Sequence, residues 1–197
     1  MTEPALPTSP RIEELRRMVE SGDVDVLAQF WRDIEQVGTP IIEPAVEGSP
    51  NTADGTHYLV TFLYRDASEE RRNVVVCSHA LGWSFQRNQM AKLPGTDVWY
   101  RTFRLPGGAR TRYWLSPDDS LIYLIDMEDR AERMSTWRPD PLALHTFVFP
   151  KDEEVPGDQD YVCSMLETPG APVPEWSVNQ SHVPPVVLRC TVSRAVC

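Results

Sequence analysis

Residues 58–64 read Tyr58-Leu59-Val60-Thr61-Phe62-Leu63-Tyr64, and this stretch decides the fold class. In an extended chain Tyr58, Val60, Phe62 and Tyr64 share one side, and Leu59, Thr61 and Leu63 share the other. That period of two is a strand signal. Downstream, Asn73–His79 (NVVVCSH) is a second, β-branched run, and residues 96–105 (TDVWYRTFRL) form a third, entered through Pro94-Gly95. Pro106-Gly107-Gly108 then supplies turn residues ahead of Thr111–Leu115 (TRYWL), so these last two strands are expected to pair as a hairpin. Short strands punctuated by turn signals predict an all-β antiparallel sandwich, and the lack of strand–helix alternation argues against a doubly wound parallel sheet.

The chain before these strands has a different period. Pro10 stands in a first helical turn after Ser9, and Ile12, Leu15 and Val19 recur at helical spacing until Ser21-Gly22. A second helix is expected from Asp23 as N-cap, with Leu27, Phe30, Trp31 and Ile34 on one stripe and Gly38-Thr39-Pro40 as its stop. Two short amphipathic helices cannot bury their own stripes, so they must dock on the strands. Beyond Arg138 the composition shifts again: nine of the 18 prolines fall in the last 59 residues, together with Asp152-Glu153-Glu154, Asp158 and Asp160. Prolines and like charges interrupt regular structure. The expected division is therefore a helical segment over 1–39, a β domain over 40–126 and a Pro-rich extension or linker over 127–197.

The 197 residues carry 19 basic and 29 acidic side chains, a formal charge of −10, with 41% hydrophobic residues. Such a length buries a core without disulfides or metals. The negative charge argues against nucleic acid, whose binding relies on cations at phosphates. No stretch approaches a membrane span, and the start, MTEPALPTSPRIEELRR, lacks the order of a secretory signal, so a cytoplasmic protein without membrane partners is expected. Cys77, Cys163, Cys190 and Cys197 form no close pair, and with His57, His79, His145 and His182 they present no ligand spacing. No metal and no cofactor are expected.

No hydrolase elbow, phosphate loop, zinc helix or dinucleotide fingerprint occurs. Gly82-Trp83-Ser84-Phe85-Gln86 departs from the elbow at Gln86, so Ser84 is not assigned as a nucleophile and no catalytic residue is named. Two features remain as candidates for ligand binding. Arg101, Arg104, Arg110 and Arg112 interleave with Trp99, Tyr100, Phe103, Tyr113 and Trp114, a mixture suited to an aromatic anion. Alternation places Arg101 with Trp99 and Phe103 on the core face, leaving Tyr100 with Arg104, and Arg112 with Trp114, as the pairs that would form one surface. The loop from Trp83 to Arg87 adds two rings and a cation. The expected ligand residues are therefore Trp83, Arg87, Tyr100, Arg104, Arg112 and Trp114. The same arginines would equally serve as a solvated hairpin face paired with carboxylates, and the loop rings as a plug for the end of the sandwich.

The order of segments carries a resemblance. Phe30-Trp31, Gly38–Glu43 (GTPIIE), Tyr58–Arg65, Leu93–Thr102 (LPGTDVWYRT) and Tyr113–Pro117 (YWLSP), followed by Arg138–Leu142 (RPDPL), Phe147–Pro150 and Ser164–Pro172, are similar to the N-terminal domain of enterochelin esterases. Ala143-Leu144 stands where that family usually has Asn-Pro. The resemblance implies an immunoglobulin-like, early-set sandwich and a role in the cytoplasmic hydrolysis of ferric catecholate siderophores that releases iron. It also implies a Ser-His-Asp hydrolase domain downstream of about Pro185, and Val186–Cys197 does not resemble the entry to one. By this reading the chain lacks the triad and is a truncated or frame-shifted esterase or a stand-alone module. A reading from another class is a non-catalytic sandwich that binds an acidic or carbohydrate ligand or mediates dimerisation.

Overall fold

The computed structural model of the chain describes residues 6–45, 56–68, 70–82, 84–121 and 132–172. Helix α1 spans Pro10–Glu20 and α2 spans Val26–Val37. The strands are β1 (Ile41–Pro44), β2 (His57–Arg65), β3 (Val74–Cys77), β4 (Ala91–Lys92), β5 (Val98–Pro106), β6 (Arg110–Pro117), β7 (Thr146–Phe149) and β8 (Tyr161–Glu167). They form two antiparallel four-stranded sheets, ordered β1-β2-β5-β4 and β3-β6-β8-β7.

The two faces of β2 are both buried, and each meets a different layer. Val60 and Phe62 join Val74, Val76, Tyr113, Leu115 and Leu166 of the second sheet, so the sheets pack face to face. Leu63 instead joins Phe30, Trp31, Ile34, Ile12 and Leu15, so the helix pair covers the outer face of the first sheet. Thr61 and Thr102, buried on that face, satisfy one another at 3.0 Å. The dock is also polar. Glu43 of β1 accepts from the Ser9 hydroxyl and from the Arg11 backbone N–H, setting a carboxylate at the amino end of α1 where the helix dipole favours it. Trp31 Nε1 donates to Asp97 at 2.8 Å.

Three expectations are corrected. The second helix begins at Val26, with Asp25 in the N-cap position, rather than just after Asp23: the Asp23 carboxylate accepts from the Asp25 N–H at 3.1 Å and closes a turn of its own over residues 23–25, so the helix starts after that turn. Residues 98–106 and 110–117 are consecutive strands but no hairpin: β5 pairs with β2 and β4, and β6 with β3 and β8. The linking turn bonds outward. Gly107 N–H donates to Thr56 O and Gly108 N–H to Pro169 O, each at 2.8 Å, while Thr168 Oγ1 accepts from Ala109 N–H and donates to Pro106 O. Gly108 has φ +76°, which suits glycine. The third correction concerns the Pro-rich region. Over residues 132–172 it is no extension, because β8 lies between β6 and β7 inside the second sheet, with Cys163, Ser164 and Leu166 fully buried. Its prolines stand outside residues 161–167 and so delimit the strand rather than disrupt it. The parts of the expected extension over 127–131 and 173–197 lie outside the described residues.

Candidate functional site

Among the described residues the expected ligand residues do not converge. Tyr100 lies half-buried under the helices, its hydroxyl accepting from Arg16 Nη2 at 2.8 Å. Arg104 is half-buried on the same face, opposite Leu59. Arg112 and Trp114 lie on the outer face of the other sheet, with the whole inter-sheet core between the two pairs, so the single hairpin surface is not formed. Trp114 is itself core: 4% exposed, stacked at 5.2 Å on Trp137, 5.5 Å from Tyr161, its Nε1 donating to Val162 O. Arg112 is exposed, with its guanidinium 5.0 Å from the Phe149 ring. Arg87 is exposed in the short helix Phe85–Asn88, and Trp83 lies outside the described residues. Arg101 is buried beside Phe103.

Other cations do converge on a concavity. A groove of about 430 Å³ opens where the ends of β2 and β6 meet residues 136–141, and Tyr64, Arg71, Pro117, Arg138, Pro139 and Pro141 line it. Its position is held by backbone pairing, since Arg138 exchanges two 2.9 Å hydrogen bonds with Leu115. Arg138 Nη1 donates to the carbonyls of Ser135 and Trp137, at 2.6 and 2.8 Å. Arg71 is ion-paired with Asp118 at 2.8 Å, which together with the adjacent Tyr64 holds its guanidinium firmly charged. Among the described residues Arg138 has no carboxylate within ion-pair distance, although the protein carries ten excess negative charges.

The wall of the groove rests on a buried carboxylate. Asp140 accepts from Thr39 Oγ1 at 2.7 Å, Tyr113 OH at 2.9 Å and Leu142 N–H at 3.0 Å, and its own N–H donates to Ser164 Oγ. Burial pushes the Asp140 carboxyl up, and the bonds from Thr39, Leu142 and Tyr113 oppose that shift. The arrangement fixes the Pro139-Asp140-Pro141 turn to both β6 and β8. A second buried charge sits nearby: Arg133 and Asp119, both fully enclosed, meet at 2.8 Å. Asp119 also accepts from the Leu121 N–H, and its carbonyl accepts from the Asn73 amide.

Along the sequence Tyr64 is legible only as a strand residue, and Arg138 and Asp140 only through the resemblance. Arg71, in the loop between β2 and β3, carried no periodic signal. The one local clue was the Pro-Asp-Pro string, since an Asp so placed caps its own turn. As for chemistry, the groove offers cations, a phenol and proline rings, a binding set rather than a nucleophile with its base. Burial pushes the Cys77 thiol up to about 12 and raises that of Cys163, so neither is a ready thiolate. Among the described residues no group of three or more His, Cys, Asp or Glu is placed to hold a metal, and no helix is long and apolar enough to cross a membrane.

Comparisons with known proteins point one way. The family model described as enterochelin esterase, N-terminal, matches residues 59–177, a span that contains every residue lining the groove. The iron(III) salmochelin esterase of Escherichia coli O6:H1 strain CFT073 is 32% identical over 97 residues, covering 48% of this chain and 22% of its own length. Among solved structures, the enterobactin esterase of Shigella flexneri, crystallised in the presence of 2,3-dihydroxy-N-benzoyl-glycine, aligns with TM-score 0.52 and 23% identity over 76% of this chain. The ferric enterobactin esterase of Salmonella typhimurium aligns with TM-score 0.52 and 22% identity, again over 76%. These two likenesses concern the fold. The chain spans 37% and 38% of the two solved chains and about a fifth of the salmochelin esterase. With more than half of its residues matched by the family model, the chain belongs to the enterochelin esterase N-terminal domain family.

Proposed function

We propose that this chain acts as the N-terminal domain of an enterochelin esterase-like protein, an immunoglobulin-like early-set sandwich that serves the cytoplasmic hydrolysis of ferric catecholate siderophores and so the release of iron. The observation that carries this reading is the family match over residues 59–177, which takes in most of both sheets. Support also comes from relatives named for enterobactin and salmochelin. In this reading the ester is opened outside the chain described here. A serine nucleophile activated by histidine, with backbone N–H groups for the oxyanion, belongs to the hydrolase part of such a protein. This chain contributes the folded partner domain and, by its exposed cations, contacts to an anionic substrate.

The test is a chimera in which residues 1–172 replace the corresponding region of the Salmonella typhimurium enzyme. The expected result is hydrolysis of ferric enterobactin by the chimera and none by the 197-residue chain alone. A folded chimera without activity, or turnover by the isolated chain that survives Ser84→Ala, overturns the assignment.

A further inference from the structure

We propose that the groove between Tyr64, Arg71 and Arg138 is a binding site for a planar aromatic carboxylate or catecholate. The proposal rests on the esterase reading only for the identity of the ring; the site itself follows from geometry. Three proline rings, Pro117, Pro139 and Pro141, make flat, rigid, apolar walls that order no side chain on binding. A guanidinium stands among them whose Nη1 is occupied by two carbonyls, while its Nε and Nη2 hold no hydrogen bond among the described residues. That leaves a forked pair of donors, the arrangement that takes up a carboxylate or a deprotonated catechol in two parallel bonds.

Arg71 donates to Asp118 and to the Tyr64 oxygen, and the Tyr64 phenol keeps its own O–H and a ring face for a ligand. The volume, about 430 Å³, is that of a site for one aromatic ring with a short polar arm rather than for a bare inorganic anion. The walls are also held in place before any ligand arrives. Arg138 is pinned to Leu115 by two backbone bonds, and the intervening turn is anchored through Asp140 to Thr39, Tyr113 and Ser164. Preorganisation of this kind lowers the ordering cost of binding. On a protein of charge −10, an exposed arginine with no carboxylate partner among the described residues is unspent charge at the mouth of a shaped cleft.

Calorimetric titration of the 197-residue chain with 2,3-dihydroxy-N-benzoyl-glycine, with N-benzoyl-glycine and with sodium sulfate tests the site. Both benzoyl ligands are expected to bind with dissociation constants on the order of millimolar or tighter, and sulfate roughly tenfold more weakly or not at all. Arg138→Gln is expected to weaken the benzoyl ligands about tenfold, and Tyr64→Phe about threefold, whereas Arg32→Gln, at an exposed position of α2, leaves them unchanged. Because Arg138 braces a turn, amide shifts on the wild type provide a second readout, with the largest changes expected at Tyr64, Leu115 and Thr136. Absence of binding by the wild type, equal affinity for sulfate, indifference to both substitutions, or shifts that map elsewhere overturns the proposal. Binding is read on this chain without turnover, so a silent groove beside an active chimera refutes the site alone, and an inactive chimera beside a binding groove refutes the esterase role alone.

Discussion

The outer faces of the two sheets meet opposite fates. On the first sheet, α1 and α2 lay Phe30, Trp31 and Ile34 against Leu63 and Val98, and the face is closed by the chain's own amphipathic helices. On the second, a run of rings extends from Trp137 through Trp114, Tyr161 and Phe149 to Phe147, with successive centroids 4.8–6.3 Å apart. It is closed at the tryptophan end and open at the other, where Phe147 and Tyr161 are 38% and 37% exposed. The described cover over the closed end is the short segment 132–137, where Met134 and Trp137 pack and the enclosed Arg133–Asp119 pair holds the segment down. The helix pair closes its face with a broad apolar stripe to which Glu43 and Asp97 add polar ties, whereas the shorter cover leans on one enclosed ion pair.

The largest effects are expected at the anchors of the two covers, Trp31 and Arg133. Trp31→Ala removes a ring that is 2% exposed and joins the helices to the first sheet, and should cost about 3–5 kcal/mol in a denaturant titration. A loss below ~1 kcal/mol would mean that the helices do not close that face. On the other side, Arg133→Ala strands the Asp119 carboxylate in the interior and should cost roughly 3–5 kcal/mol, while the apolar pair Arg133→Met with Asp119→Leu restores most of it. If the double variant is no more stable than the single one, the tie acts through its hydrogen bonds to the backbone rather than through charge.

Alkaline titration sharpens the contrast at intermediate size. The Cys77 thiol is pushed from 9.0 to about 12, first by burial and then by the Asp119 charge, and Arg133 opposes this. A raised folded pKa gives stability that is complete below about pH 9 and is lost as pH climbs through 12. Tyr161 is raised as well, so both act on the aromatic side of the molecule. Melting temperatures between pH 9 and 12 should therefore fall less steeply in Cys77→Ala than in the wild type, and an unchanged slope would remove Cys77 from the account. The smallest effect is expected from Arg112→Ala, which loses one exposed cation–π contact with Phe149, about 0.5–1 kcal/mol. A cost as large as that of Trp31→Ala would mean that the open end is as closely packed as the helical one.

Much of this was legible along the chain. The stripe at Leu27, Phe30, Trp31 and Ile34 announced a docked helix, and the alternation in 58–64 announced a strand, because each depends only on residues a few positions apart; that both faces of the strand are buried is shown by the packing. The groove was not legible. Tyr64, Arg71, Pro117 and Arg138 belong to four separate stretches, and only the pairing of Leu115 with Arg138 brings the last of them to the others.

The sequence by itself determined that this protein is a β-rich chain with an amphipathic helix pair at its front, without a recognisable catalytic motif, and with arginines as nearly its only cations. The tertiary structure alone decided which strands are neighbours. Residues 98–106 and 110–117 adjoin in sequence yet enter different sheets, and residues 161–167 return between β6 and β7 from a region whose prolines promised no sheet. The physical reason is that side-chain alternation records which faces of a strand are buried but is silent on which backbone completes its hydrogen bonds. That choice depends on the summed burial of the whole core and on where distant groups, here Thr56, Thr168 and Pro169, can satisfy the turn.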